Sequence, residues 1–438
     1  MELIQQILFV LLVLSASLLF ARKVSELRRN INLGQPEDFS GHNSERWKNL
    51  LLLAFGQKKM FRKPLVAIMH FVIYAGFIII NLEVLEIMLD GILGTHRLFA
   101  SPLDVVYPLL INAFEFLAVG VIIVCVAFLA RRNLLRLRRL NQPELDGWPR
   151  NDANIILVTE IVLMTLFLTM NTCDTLLQSR GFGHFAEHQT GNFFFSGMLQ
   201  PLVSGFSSST LVVLERIAWW MHIVGIFAFL NYLPWSKHLH IIFAFPNAYY
   251  TRLEPMGKIK NMPDIQKEVL YAMQPELIPA EGAEQPKRFG AKDIMDLSWR
   301  NLMDAYSCTE CGRCTSACPA NITGKILSPR KIMMDTRDRM EEVGKNVRLN
   351  GSFIDDGKSL LHNYITQEEI RACTTCNACV EECPVSISPL DIILQLRRFQ
   401  AMEESNVPAE WSGMFSNTEN NFAPWKFAPD DRDQWVEG

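Results

Sequence analysis

Apolar residues gather in five long runs, near residues 3–20, 63–90, 103–130, 152–178 and 210–245, with polar stretches between them. Each run is long enough for a helix to cross a bilayer, which takes roughly 17–25 residues. After residue 246 the pattern changes to short amphipathic segments broken by turn formers. The order predicted is a transmembrane domain (1–246), a connector (247–300), a helix-rich soluble domain (301–403) and a tail (404–438). The first run has no basic start and no A-x-A-like cleavage site. Arg22, Lys23, Arg28 and Arg29 follow it directly, so it reads as an anchor and not a removable signal.

Charge sets an expected orientation. Basic residues crowd the segment from Arg22 to Lys63 and the run Arg131, Arg132, Arg136, Arg138 and Arg139, while Lys237 and Arg252 flank the end of the fifth run. The opposite loops, near 91–102 and 179–209, hold only Arg97 and Arg180. By the positive-inside rule the N-terminus lies outside and the soluble half in the cytoplasm of a bacterial (inner) membrane. Composition fits this division, with 49% hydrophobic and 20% charged residues. The net charge of −4, without a large basic block, argues against nucleic-acid binding.

The soluble half holds eight of the ten cysteines, in two copies of one pattern: Cys308-x2-Cys311-x2-Cys314-x3-Cys318-Pro319 and Cys373-x2-Cys376-x2-Cys379-x3-Cys383-Pro384. This is the ligand spacing of a two-cluster bacterial-type ferredoxin, in which the fourth cysteine of each run serves the other cluster. Cys308, Cys311 and Cys314 with Cys383 are expected to hold one 4Fe–4S cluster. Cys373, Cys376 and Cys379 with Cys318 are expected to hold the second. Zinc usually takes paired C-x2-C elements, and disulfides need an oxidising compartment. The 54 residues from Pro319 to Ala372 are rich in helix formers, especially around Pro329–Glu342, so the domain is expected to be helical. Ser388 and Pro389 mark the start of a further helix over 388–403 as N-cap and first residue. Cys125 and Cys173, in apolar runs, are expected to be buried and inert.

Histidine inside a membrane helix is costly and usually functional. The second run carries His70, and the fifth region carries His222, His238 and His240. On one continuous helix, the 18 residues from His222 to His240 make five whole turns. The two would then share a face about 27 Å apart. His70 and His240 fall at a similar depth and form the expected bis-histidine pair for a b-type haem. His238 is a reserve ligand or a propionate neighbour. His222, without a clear partner, is the candidate for a second haem. The alternative for each is a hydrogen bond inside the bundle. Glu83, Glu86, Asp90, His96, Arg97 and Asp174 cluster toward the outer side as candidates for a quinone site, against the alternative of packing salt bridges and caps. His184 and His188, four residues apart in an outer loop, are expected to be solvated. The connector, with Pro255, Pro263, Pro275, Pro279 and Pro286, is expected to be irregular and to lie along the membrane. The tail carries Trp411, Phe415, Phe422, Trp425, Phe427 and Trp435, which either dock a partner or fold back. Neither a G-x-G-x-x-G loop nor a Walker A motif occurs, so nucleotide chemistry is not expected in this chain.

Several of these stretches resemble a known family. The segment WWMHIVGIFAFLNYLPWSKHLHIIFAFP, Trp219 to Pro246, resembles the last haem-binding helix of the respiratory nitrate reductase gamma family, and His222 and His240 match its two ligand positions. FRKPLVAIMHF places His70 at that family's inner-haem position, while its outer-haem histidine on the same helix has no counterpart here. The cysteine half is similar to the C component of heterodisulfide reductase. The combined order resembles the first half of membrane-bound electron-transfer-flavoprotein:quinone oxidoreductases of the heterodisulfide-reductase type. There, a stretch like FSNTENNFAPWKFAPDDRDQW leads into a Cys-Cys-Gly-rich domain. The resemblance implies an all-α oxidoreductase subunit of a respiratory chain. It would pass electrons between a cytoplasmic donor and menaquinone or ubiquinone through two 4Fe–4S clusters and haem b. It also implies a Cys-Cys-Gly subunit, of the heterodisulfide reductase B type, docked on the tail, with electron-transfer flavoprotein as donor. The opposite direction, quinol oxidation feeding a cytoplasmic disulfide or sulfur substrate, is the first alternative. A membrane-anchored sensor or scaffold without quinone turnover is the second.

Overall fold

Five helices are long and apolar enough to cross a membrane: α1 (Leu3–Ile31), α2 (Pro64–Leu93), α3 (Val106–Leu129), α4 (Trp148–Ser179) and α5 (Ser208–Tyr232). The computed structural model describes residues 3–187, 189–279, 288–426, 428–431 and 433–437. His188, Pro286 and Phe427 lie outside the described residues. The fold is all-α, 72% helical, with no strand among the described residues. Pro at the first turn starts α2, where its missing N–H costs nothing, and Gly94 in the left-handed region ends it. In the bundle, α4 packs against α3 and α5, α2 against α3, and α1 against α2 and α5. The core between them is built from side chains such as Phe9, Ile111, Phe114, Phe167 and Ile223. Outward faces remain apolar, as a lipid-facing surface requires: Leu11, Leu18, Ile68, Leu82, Ile123 and Val213 are all exposed.

Three expectations about the elements are corrected. First, α1 does not stop near residue 20 but continues through its basic segment to Ile31. That extension joins the two halves. The Asn30 amide donates to the Tyr306 hydroxyl (2.9 Å), and a Cβ on Gly344 would sit 2.1 Å from Asn30 Oδ1. Second, the connector contains an exposed helix, Pro263–Met273, again opened by proline at its first turn. The 179–209 loop likewise holds an apolar helix, Phe194–Val203, pinned by Glu115, which accepts from the Phe195 N–H (2.9 Å).

The third correction concerns the fifth run. It is not one helix over 210–245. It breaks after Tyr232 through a turn at Leu233–Trp235 and an extended Ser236 (φ −112, ψ 153), then resumes as α6 (His240–Tyr249). Pro234 cannot donate to the helix ladder. Asp152 of α4 receives the polar groups freed at the break: the Tyr232 hydroxyl, the Ser236 hydroxyl (2.7 Å) and the Lys237 N–H (3.0 Å). The five-turn phase argument linking His222 to His240 therefore fails, because the two stand on different helices.

The soluble half is built on α7 (Trp299–Ser307), α8 (Arg313–Ala317), α9 (Pro329–Asn350), α10 (Ala378–Glu382) and α11 (Pro389–Met402). Ser388 caps α11 by accepting from the Asp391 N–H, as the sequence indicates. Buried Arg300 ties α7 to α6 through the Asn247 side chain and the Tyr250 carbonyl (2.9 Å), and also pairs with Asp304. Asp304 accepts from the Ser388 N–H (3.2 Å), and burial pushes its carboxyl up to about 6. The chain end forms α12 (Ala409–Asn421), with no buried residue; Trp411, Phe415, Phe422, Trp425 and Trp435 are exposed.

Candidate functional site

The two cysteine runs fold alike. Each begins at a cysteine that ends a helix in an extended conformation, Cys308 after α7 and Cys373 after the helix Gln367–Ala372. Each then turns through two left-handed residues, Glu310 (φ 53) and Gly312 (φ 71) in one, Thr375 (φ 54) and Asn377 (φ 62) in the other. A short helix follows, α8 or α10, and then an extended cysteine, with φ −72 and ψ 118 at both Cys318 and Cys383. The proline after it fixes that cysteine outside the helical region.

α8 packs against α10, so the runs meet crosswise. Cys308, Cys311, Cys314 and Cys383 line one small cavity, although Cys383 comes from the second run, and Cys379 touches it as well. Cys318 of the first run is the electrostatic neighbour of Cys373 and Cys379, both of which also neighbour Cys376. Burial pushes the free thiols of Cys308 and Cys379 up to about 12 and that of Cys383 to about 11. Metal ligation requires thiolates, so binding of a cluster by these cysteines would release their protons. Backbone N–H groups already aim at sulfur: Thr375 at Cys373 (3.4 Å) and Ile387 at Cys383 (3.3 Å). Cys125 and Cys173 are buried in the membrane helices α3 and α4.

A second cavity, of about 390 Å³, runs from the first cysteine loop into the bundle. Cys311 and Glu310 line its inner end, and His70, His238 and His240 its middle. The rings of His70 and His240 lie with centres 6.4 Å apart and planes inclined by 46°. An iron bound by both at about 2 Å would hold the ring centres roughly 6 Å apart, since imidazole bonds to metals run near that length. Each ring has its Nδ1 engaged, His70 with Gln57 Oε1 and His240 with the Lys237 carbonyl, both at 3.2 Å. That leaves Nε2 free, the arrangement of metal-bound histidines. Arg131, Arg132 and Arg139 line the same cavity, and Arg132 Nε is buried without a partner. The residues present thus fit an iron porphyrin with its carboxylates at these arginines.

The other histidines are placed differently. His238 packs 5.3 Å from His240 and 5.5 Å from Phe229. His222 is buried, with Nδ1 at the Leu163 carbonyl (2.9 Å) and its ring beside Phe167, not beside a second histidine. His96 lies near Asp174 (3.3 Å) and His184 (5.3 Å between ring centres).

The outer acids come together, but mainly on one another. Arg97 donates to Asp174 (2.9 Å) and Asn171 (2.6 Å). Asp90 accepts from the Thr95 hydroxyl and the Arg97 and Leu98 N–H groups. Glu86 accepts from the Phe99 N–H and the Tyr107 hydroxyl, both at 2.8 Å. The cluster pins the 94–99 turn to α2, α3 and α4.

Sequence reasoning missed the Lys237–Glu310 contact, in which the first cysteine loop meets the break before α6. Glu310, 4% exposed, pairs with Lys237 and, at 2.9 Å, with Arg337. Glu310→Gln would remove the charge shared by both cations and leave Lys237 with Asp152 at 4.0 Å and Arg337 with Asp338 at 3.5 Å. The expected loss is about 1.5–3 kcal/mol, the range for a hydrogen bond to a charged group, read as a lower temperature for bleaching of the cofactor absorbance. A melting profile matching the parent's would contradict it. Glu160 was missed too, although a lone acid in an apolar helix is itself a signal.

The comparisons with known proteins agree with this geometry. Residues 307–387 match the 4Fe-4S dicluster domain. The chain therefore carries a dicluster domain beside five helices able to span a membrane. Over 98% of its length it is similar, at 28% identity, to a probable iron-sulfur-binding oxidoreductase FadF of Bacillus subtilis, covering 60% of that protein. Over 90% of its length it is similar, at 26% identity, to the EtfAB:quinone oxidoreductase of Syntrophomonas wolfei, covering 54% of it. A third relative is the C component of a CoB-CoM heterodisulfide reductase of Methanosarcina acetivorans, 31% identical over 27% of this chain and 60% of that one. The chain thus spans 60% and 54% of the length of the first two relatives. No solved structure matches.

Proposed function

We propose that the chain is the membrane electron-transfer subunit of an iron–sulfur oxidoreductase, linking a cytoplasmic redox partner to quinone in the bilayer. Cys308, Cys311, Cys314 and Cys383 hold one 4Fe–4S cluster; Cys373, Cys376, Cys379 and Cys318 hold the other; His70 and His240 hold haem b. When bound, these groups supply one-electron carriers whose potentials are set by charge, hydrogen bonding and exposure. The supporting observation is the cavity that runs unbroken from Cys311 to the His70–His240 pair.

The chain's own residues orient and insulate that route. Asp152 and Pro234 fix the break that carries His240 to His70. Lys237 holds His240 through its carbonyl and the cysteine loop through its ammonium. The apolar wall formed by Phe128, Ile156 and Phe245 excludes water. The basic segments favour an N-terminus outside and the cysteine half in the cytoplasm. There the exposed aromatic α12 offers a surface for a Cys-Cys-Gly-domain partner and, through it, electron-transfer flavoprotein.

Metal analysis and a reduced-minus-oxidised spectrum of the purified protein test the assignment. About eight cluster irons together with a b-type haem band are expected. Full cluster iron without a haem band would overturn the route through the membrane.

A further inference from the structure

The 390 Å³ cavity has a floor that the cysteines and histidines do not explain. Its lining falls into layers along the helices. On α2, His70 is followed one and two turns deeper by Tyr74 and Ile78. On α4, Ala153, Ile156 and Leu157 lead down to Glu160, and on α3 the residues above Cys125 run back to Arg131 and Arg132. Eight residues separate His70 from Ile78, which is about 12 Å along a helix. The floor is therefore deep in the membrane half, where the walls are apolar and the polar side chains are Glu160 and Tyr74 beside Cys125.

Neither polar group is committed. Among the described residues no hydrogen bond or ion pair involves Glu160 and no hydrogen bond involves the Tyr74 hydroxyl. Among the outer acids, Asp90, Glu86 and Asp174 are bonded to backbone or to Arg97, while Glu83 accepts no hydrogen bond but has the Arg97 guanidinium at 3.7 Å as its counter-charge, which Glu160 lacks. An unpaired acid at membrane depth marks an ion, proton or ligand site by default. The floor also opens sideways. Phe77 and Ile78 line it and are 40% and 46% exposed on the lipid face of α2. A lipid-soluble molecule can enter there without crossing the aqueous surface.

We propose that Glu160 and Tyr74 form the headgroup subsite for a membrane quinone, at the floor of the inner cavity and not at the outer acidic cluster. The ligand is a planar ring with two carbonyl oxygens and an isoprenoid tail. The Glu160 carboxylic acid and the Tyr74 hydroxyl donate to the carbonyls, Leu157 and Ile78 below the haem wall pack the ring, and the tail leaves past Phe77. The site rests on the quinone reading of the chain and adds its place and its residues. It puts the quinone ring on the same cavity as the His70–His240 pair, so electron transfer between them needs no further carrier.

The test is binding of 2-heptyl-4-hydroxyquinoline N-oxide, a quinone-site probe whose fluorescence is quenched on binding, to the whole protein in detergent. Wild type is expected to saturate at one site. Glu160→Leu and Tyr74→Phe should each weaken binding about three- to tenfold, the range for losing a neutral hydrogen bond. Leucine suits the apolar wall, and retained cluster absorbance verifies the fold of both variants. Wild-type affinity in both variants would overturn the site while leaving the quinone reading intact, as would a loss found in Glu86→Gln alone. No quenching by wild type would overturn the quinone reading itself.

Discussion

Replacing Cys383 by serine should remove the cluster of the first cysteine run, although Cys383 belongs to the second. The crossed packing of α8 on α10 places Cys383 on the cavity lined by Cys308, Cys311 and Cys314, which Cys379 also touches, and leaves Cys318 beside Cys373 and Cys379. Iron should fall by about half, from about eight atoms to about four. The discriminating result is the grouping of residual spectra. Under crossed ligation the reduced EPR spectrum of Cys383→Ser matches that of Cys314→Ser, and Cys318→Ser matches Cys376→Ser. If Cys383→Ser instead matches Cys376→Ser, ligation follows the runs as written along the chain.

The second large effect is expected at the membrane histidines. His70→Ala and His240→Ala should each abolish the b-type haem band, because each removes one side of the pair at 6.4 Å. His222→Ala should retain that band, since His222 is held by the Leu163 carbonyl and Phe167 and faces no second histidine. His238→Ala separates the roles left open for that residue. Retention of a low-spin bis-histidine spectrum in His240→Ala, with its loss in His238→Ala, would make His238 the ligand.

How much of this was legible in the chain depends on the range of the interaction. The cysteine runs are readable because a C-x2-C-x2-C-x3-C-P segment makes its own loop and short helix, and the two copies repeat the same φ values. The five apolar runs are readable because lipid demands length and composition together. The nearness of His70 and His240 was legible only in part. They lie together in the fold, but His240 stands beside His70 on a helix of its own, after Pro234, Ser236 and Asp152 break the chain between it and His222. Asp152 stands 84 residues before Ser236, so its part in that break left no local signal. The same holds for Lys237 and Glu310, 73 residues apart in the chain and paired in the fold. Arg132 and Arg139 were legible only as topology signals, and their place on the cavity required the packing of α2, α3 and α4.

The central claim is that electrons cross between the cysteine half and membrane quinone by way of the His70–His240 site. The direct measurement uses the protein in lipid nanodiscs, with its clusters photoreduced under anaerobic conditions and a lipid-soluble menaquinone present in the bilayer. Reduced-cluster EPR and haem absorbance are followed together. The account predicts that the cluster signal decays as quinol forms, and that His70→Ala slows this decay by at least about tenfold, one decade of rate for each ~1.4 kcal/mol of barrier. Equal decay rates in wild type and His70→Ala would contradict it, because electrons would then leave the clusters without passing through the membrane site.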